Sequence, residues 1–298
     1  MVPFILGSAF AVFRYKQFNA INFILMLISL LSLDMATTAT NNYIDYKKAN
    51  KTYGYGYEQH NAIVSYNLKE TTVIAVIAIL LAIAFTFGIL LYLNTTPLVL
   101  IIGAISFAVG ILYSFGPIPI SRMPLGEIFS GFFMGFVIIF LSIYIHIIDI
   151  NLFGFSIDNY MLNINVEMRE LAVIFLVALP ATLGIANIML ANNICDMEDD
   201  LINKRYTLPI YIGKDRALTL FKSLYYIAFI DIAVLLMLGI LPYIASLALL
   251  TIIAVKKNID SFMKLQTKKD TFILAVKNFI IINISLLALL LAYLAIFD

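Results

Sequence analysis

Nine apolar runs follow one another down the chain, with approximate edges at 2–13, 20–45, 70–92, 97–114, 124–148, 170–195, 217–239, 241–255 and 274–297. About 20 apolar residues cross the hydrocarbon core as an α-helix, and in lipid only helices and closed barrels satisfy every backbone N–H and C=O. These runs are helical in length rather than barrel-like, so the expected fold is an all-α membrane protein with nine transmembrane helices. The scarcity of charge agrees: 12% of residues are charged, against about 25% in a soluble domain. The first run is short for a span, and the connection at Pro242 is tight enough to make the seventh and eighth runs a hairpin. No basic region follows Met1, so a secretory signal is not expected. The single cysteine, Cys195, excludes an intrachain disulfide, and a net charge of +1 gives nucleic acid no footing.

Lys and Arg fix the expected orientation. With the N-terminus inside, sixteen of the 19 fall in inner segments and only Arg14, Lys16 and Arg169 in outer ones. The outer stretch 149–168 is instead acidic, with Asp149, Asp158 and Glu167, and reads as a loop.

Against this apolar background one polar signature occurs twice. Asn41-Asn42-Tyr43-Ile44-Asp45 is followed by Asn50-Lys51-Thr52-Tyr53, and Asn192-Asn193-Ile194-Cys195-Asp196 by Asn203-Lys204-Arg205-Tyr206. The copies lie 151 positions apart in a chain of 298, which divides one transmembrane domain, 1–298, into pseudo-repeated four-helix halves of about 1–122 and 123–256 plus a ninth helix. Four crossings separate the copies, so both are expected at the inner face, able to converge on one chamber. Equivalent motifs of an inverted-repeat transporter would open to opposite sides.

Residues four apart share a helical face, so Asn192, Asp196 and Asp200 form one stripe at the inner end of the sixth run. Two carboxylates suit Mg²⁺, a hard cation that shares its oxygen shell with substrate phosphates. Lys204 and Arg205, just beyond, are phosphate-binding side chains. The bland alternative is a set of ordinary charges capping a helix at the lipid headgroups. In the first copy Asn41 and Asp45 share a face, but Ala49 stands where Asp200 stands in the second, so the second half is expected to dominate metal binding. Asp34 lies inside the second run, about 16 Å along a helix from Asp45. A charge facing lipid at that depth costs about 2.5–3.5 kcal/mol or more, so Asp34 is expected to face an internal cavity, as an acceptor contact or proton carrier, or else to be satisfied by neighbouring helices. Between the fourth and fifth runs, Gly116, Pro117 and Pro119 force a turn that carries Tyr113, Arg122 and Glu127. Arg122 reads either as a diphosphate ligand or as an inner-face anchor; Glu127, as a charge favouring a helix N-terminus. His60 and His146 have no metal-ligand spacing.

Taken together, Asn41 through Lys48, Asn61-Ala62-Ile63-Val64, Tyr113 through Pro119, Leu125-Gly126-Glu127 and Asn192 through Gly213 resemble the UbiA superfamily of intramembrane prenyltransferases, over essentially the whole chain. Within it the likeness is greatest to bacterial 1,4-dihydroxy-2-naphthoate polyprenyltransferases of menaquinone synthesis. The resemblance implies nine helices with polar caps over the cytoplasmic mouth of a cavity in the bacterial cytoplasmic membrane. It also implies Mg²⁺-dependent transfer of a polyprenyl group from polyprenyl diphosphate to dihydroxynaphthoate, giving demethylmenaquinone, CO₂ and diphosphate. Asp45, Asp196 and Asp200, helped by Asn41, would hold the metal. Asn192, Asn193, Lys47, Tyr113, Arg122, Lys204, Arg205 and Asp34 would contact the substrates. The family carries acids where this chain has Asn42 and, further on, Asn50 or Lys51, so a single acid, Asp45, remains in the first motif. Other aromatic or lipid acceptors, such as 4-hydroxybenzoate, and a non-catalytic quinone binder or transporter stay open.

Overall fold

The computed structural model describes residues 1–48, 61–114, 119–150, 152–158 and 161–297. In chain order its elements are Val2–Tyr15 (α1), Ala20–Lys48 (α2), Ala62–Ser65 (α3), Glu70–Leu93 (α4), Pro97–Ser114 (α5) and Gly126–Tyr144 (α6). A hairpin of Phe153–Asp158 (β1) and Met161–Val166 (β2) follows, then Met168–Cys195 (α7), Met197–Ile202 (α8), Leu208–Ile212 (α9), Lys214–Met237 (α10), Ile252–Lys264 (α11) and Phe272–Phe297 (α12). Among the described residues six helices are long and apolar enough to cross a membrane: α2, α4, α6, α7, α10 and α12, with α1 and α5 apolar but shorter. The protein is therefore a multi-pass membrane protein. Helix α4 shows the solvent it is built for. It is apolar all round, only 11% of its most apolar stretch is buried, and Ile74, Val76, Ile79 and Phe85 are exposed; such a helix is stable only against lipid.

Two expectations change. The run at 241–255 is not one α-helix: Tyr243–Thr251 winds as a 3₁₀ helix before α11 begins. Helix α11 is itself amphipathic, burying Val255, Ile259 and Phe262 and exposing Lys256, Lys257 and Lys264. The stretch read as an acidic loop holds an antiparallel hairpin, with Phe153 opposite Val166 and Asp158 opposite Met161. Its signal was the period-2 alternation of Phe153, Phe155 and Ile157 and of Leu162, Ile164 and Val166. The hairpin is tied to α6 by Phe153, which meets Phe140 and Tyr144 edge-on with ring centroids 5.8 and 6.2 Å apart.

The described chain forms two compact units, Ala20–Pro119 and Met1–Asn19 with Ile120–Asp298. In the first, α2 packs on α4, with α3 and α5 beside them. In the second, α7 is the central helix, touching α6, α10 and α12, while α1 packs on α6 and α12. Small residues set the closest approach, as expected where lipid tails compete with apolar side chains and helices associate by packing. Gly131 and Gly135, within a π-helical turn of α6 spanning Gly131–Val137, lie against Thr182 and Ala186 of α7.

Polar contacts gather at two ends of the larger unit. At one end Arg14 grips Glu170 with two hydrogen bonds of 2.7 and 2.9 Å, and the Asn19 N–H donates to His146 Nδ1 at 3.0 Å. Arg14 and Asn19 fall in an expected outer segment, and His146 and Glu170 at expected outer helix ends. At the other end the turn before α6, the segment after α7 and the loop between α11 and α12 meet, and all three are expected inner segments.

Candidate functional site at the C-terminal end of α7

Helix α7 ends at Cys195, and Asp196 caps both α7 and the short α8 that follows. The stripe expected over Asn192, Asp196 and Asp200 is thus broken as a helix at Asp196, where φ is −98° and ψ is 5°. It survives as a register: the Asp196 N–H donates to the Asn192 carbonyl at 3.1 Å and the Asp200 N–H to the Asp196 carbonyl at 2.7 Å.

Asp200 is buried, 3% exposed, and the chain after α8 folds back over it. Its Oδ1 lies 3.2 Å from Arg205 Nε, an ion pair rather than an aligned hydrogen bond, and its Oδ2 accepts from the Thr207 hydroxyl at 3.3 Å. The return is anchored by the backbone. Arg205 N–H donates to the Asp200 carbonyl at 2.8 Å and Tyr206 N–H to the Arg122 carbonyl at 3.0 Å, while the Arg205 guanidinium donates to the Ser121 carbonyl at 3.3 Å. The turn passes through Lys204 at φ 54°, a left-handed conformation usually left to glycine or asparagine and often retained at functional sites. Burial pushes the Asp200 carboxyl above its ordinary pKa; the Arg205 guanidinium pulls it back, the negative charge of Asp196 adds to the rise, and the Thr207 hydrogen bond opposes it.

Asp196 is less enclosed and pairs with Lys268, from the loop between α11 and α12. This partner was not singled out in the sequence. Lys268 lies 72 residues further on, and no spacing rule links the two. Asn193, expected among the substrate contacts, turns inward instead: it is 1% exposed and its amide donates to Glu127 Oε1 at 2.8 Å. Glu127, read as a helix-start charge, is itself 5% exposed. It joins α6 to α7, leaving its Oε2 and Asn193 Oδ1 without hydrogen-bond partners among the described residues. Asn192 is half-buried, and the side chains of Arg122 and Lys204 are exposed. An acid that sequence reasoning missed is Asp231 of α10, 5% exposed with Oδ2 unpartnered among the described residues. Its place inside an apolar run was visible, and an intramembrane acid is a functional candidate by default.

In the unit Ala20–Pro119 the first signature is partly described. Asn42 is used structurally: its carbonyl accepts from Asn61 Nδ2 at 2.7 Å and its Oδ1 from Ala62 N–H at 3.4 Å. Lys47 pairs with Glu70 at 2.7 Å, and the Tyr43 hydroxyl donates to the same carboxylate at 2.6 Å. Asn41 and Tyr113 are partly exposed, and Asp34 is exposed rather than buried between helices. The Asp45 side chain, Ala49 through His60 and the Gly116-Pro117 turn lie outside the described residues.

Among the described residues no three His, Cys, Asp or Glu side chains converge into a ready metal cage. Two neighbouring carboxylates, Asp196 and Asp200, nevertheless fit Mg²⁺, which is commonly held by one or two carboxylates and completes its octahedron with water and phosphate oxygens. The Arg205 and Lys268 cations beside them suit the charge of a diphosphate. A groove between α10 and α11, lined by Tyr226, Ile252, Lys256, Lys257 and Lys264 among others, includes none of these side chains.

The sequence profile of the UbiA prenyltransferase family matches residues 1–280. The chain is 31% identical over 241 residues to a 1,4-dihydroxy-2-naphthoate octaprenyltransferase of Bacillus subtilis, covering 80% of this chain and 70% of that protein. Two similar solved structures are the apo form of a UbiA homolog from Aeropyrum pernix K1 (TM-score 0.68, 20% identity, 96% of this chain and 97% of that one) and a UbiA homolog from Archaeoglobus fulgidus bound to GPP and Mg²⁺ (TM-score 0.66, 15% identity, 99% and 96%). At these identities the solved structures bear on the fold.

Proposed function

The chain belongs to the UbiA prenyltransferase family, and from that premise we propose that it transfers a polyprenyl group from polyprenyl diphosphate to 1,4-dihydroxy-2-naphthoate. The observation that carries the chemistry is the Asp196–Asp200 pair, each acid matched to a cation at the inner end of α7. The acceptor assignment rests on the 31% identical Bacillus subtilis relative. The Lys and Arg bias supports a site facing the cytoplasm in a bacterial cytoplasmic membrane.

Asp196 and Asp200 would hold Mg²⁺, which when bound neutralises diphosphate charge and assists the leaving group. Arg205 and Lys204 then act on the charge that grows as the C–O bond to the prenyl carbon breaks. Donors fixed before the reaction stabilise that charge without reorganisation, and the Thr207, Ser121 and Arg122 contacts pre-position the Arg205 segment. The electron-rich ring attacks the allylic carbon, a C–C bond forms where the carboxyl group stood, and CO₂ departs with the pyrophosphate. The reaction requires that water be kept from the carbocation. The ring stays at the hydroquinone level, so the immediate product is the quinol of demethylmenaquinone.

Mass spectrometry of the product formed by purified protein from dihydroxynaphthoate, a polyprenyl diphosphate and Mg²⁺ tests this reading. A mass for the decarboxylated, prenylated quinol is expected. Product with 4-hydroxybenzoate instead would reassign the acceptor, and binding without pyrophosphate release would make the protein a non-catalytic quinone binder. Asp34→Asn is expected to raise the acceptor KM by about tenfold, the scale of one charged hydrogen bond, while leaving the prenyl diphosphate KM within about twofold. Equal loss of both would remove Asp34 from the acceptor side.

A further inference from the structure

The loop that brings Lys268 to Asp196 is built rather than slack. Helix α11 ends at Lys264, and Gln266 ties back to it through hydrogen bonds to the Phe262 and Met263 carbonyls at 2.6 and 2.9 Å. Thr267 and Thr271 then close a ring around Lys268. The Thr267 N–H donates to Thr271 Oγ1 at 2.9 Å, and the Thr271 and Phe272 N–H groups both donate to the Thr267 carbonyl, at 3.1 and 3.0 Å. The Thr267 hydroxyl donates to Asp270 Oδ2 at 3.1 Å and accepts from the Asp270 N–H at 3.2 Å. Thr271 is buried. Below the ring, α12 is fastened by Asn258 Nδ2 donating to Asn278 Oδ1 at 2.8 Å and by the Tyr225 hydroxyl donating to the Ala275 carbonyl at 3.4 Å. The Lys268 backbone is therefore fixed. Its long side chain is 55% exposed and ends on a carboxylate that is only 17% exposed.

We propose that Lys268 is the tethered counter-ion of Asp196: it neutralises that carboxylate in the metal-free protein, yields it when a divalent cation loads, and then pairs with the diphosphate. The proposal rests on the assignment of Asp196 as a metal ligand. Lys268 holds only Oδ2 of Asp196, but a divalent cation on the same carboxylate repels the ammonium and draws off the charge that holds it, so metal loading weakens the ion pair. A displaced Lys268 on a four-carbon stem with a fixed base stays within a few ångströms of Asp196, where the new negative charge is that of the substrate. Lys268 thus opposes binding of the metal alone and favours binding of metal with diphosphate, coupling the two.

The test compares wild-type protein with Lys268→Met and Lys268→Arg, all full-length in detergent, titrated with Mn²⁺ alone and then with geranyl diphosphate at saturating Mn²⁺; free Mn²⁺ is read by electron paramagnetic resonance. Lys268→Met is expected to bind Mn²⁺ alone about fivefold more tightly, the scale of a half-exposed ion pair, and geranyl diphosphate about fivefold more weakly. Lys268→Arg is expected to restore both. These shifts run in opposite directions, which a merely structural role would not produce. Unchanged Mn²⁺ affinity in Lys268→Met, or weakening of both ligands, overturns the counter-ion role while leaving the site assignment in place. Wild-type Mn²⁺ affinity in Asp196→Ala overturns the site assignment itself.

Discussion

Asp200→Ala is expected to lower prenyl-transfer turnover by about 10³-fold or more, at unchanged protein yield, in the dihydroxynaphthoate assay. The substitution removes three things together. It deletes one of the two carboxylates proposed to hold Mg²⁺, and a single preorganised electrostatic contact to developing charge is worth about 10²–10³ in rate. It leaves Arg205 without the partner 3.2 Å away that aims it, and it leaves the Thr207 hydroxyl without its acceptor. Asp200→Asn separates the effects: it retains an acceptor for Thr207 but lacks the charge, so it should keep the fold and still lose turnover. Asp196→Ala should lose a similar amount for the first reason alone, since Lys268 is exposed and can be solvated. Near-normal turnover in either alanine variant would remove these acids from the chemistry.

The unequal surroundings of the two acids show where sequence reasoning stopped. Chain periodicity locates the acids because a helix repeats every 3.6 residues, and the apolar runs locate α2, α4, α6, α7, α10 and α12 because burial in lipid demands unbroken apolarity. Neither rule reaches a partner brought in from elsewhere in the chain. Lys268 on Asp196 and Asn193 on Glu127 are products of helix packing, and the sequence marked Lys268 and Glu127 as ordinary inner-face charge and helix-start charge. The break at Asp196 was hidden because the i to i+4 backbone bonds run through it. The β1–β2 hairpin was hidden for the opposite reason: its alternation is short, and its acidic ends matched the expected outer loop. Asn42, which departs from the family's acid, acquires a reason from the structure, since its amide Nδ2 donates to the Thr38 carbonyl at 3.0 Å, a hydrogen bond that a carboxylate could not make.

The largest effect on stability is expected at Gly135, far in sequence from any proposed ligand. A Cβ added there would lie 2.5 Å from Thr182 Cα and 2.8 Å from Thr182 N. These are backbone atoms of α7, and unlike a side-chain tip they cannot rotate away. Gly131, one turn earlier, is nearly as tight, with a Cβ 2.8 Å from the Thr182 carbonyl oxygen. Gly135→Ala must therefore push α6 away from α7, and overpacking of this kind costs about 1–3 kcal/mol or more. It opposes the gain of about 1 kcal/mol that alanine brings to a helix interior. Gly103→Ala isolates that second term, since a Cβ on Gly103 of α5 meets nothing within 4 Å among the described residues. In thermal unfolding of the purified protein in detergent, Gly135→Ala should melt several degrees below wild type and Gly103→Ala at or above it. Because α6 carries Glu127 and α7 carries Asn193, the same shift should strain the hydrogen bond between them and lower turnover in the fraction that still folds. A Gly135→Ala protein that melts with wild type would mean that α6 and α7 do not meet through this glycine face, and the placement of Asp196 and Asp200 at the end of α7 would lose its support from α6.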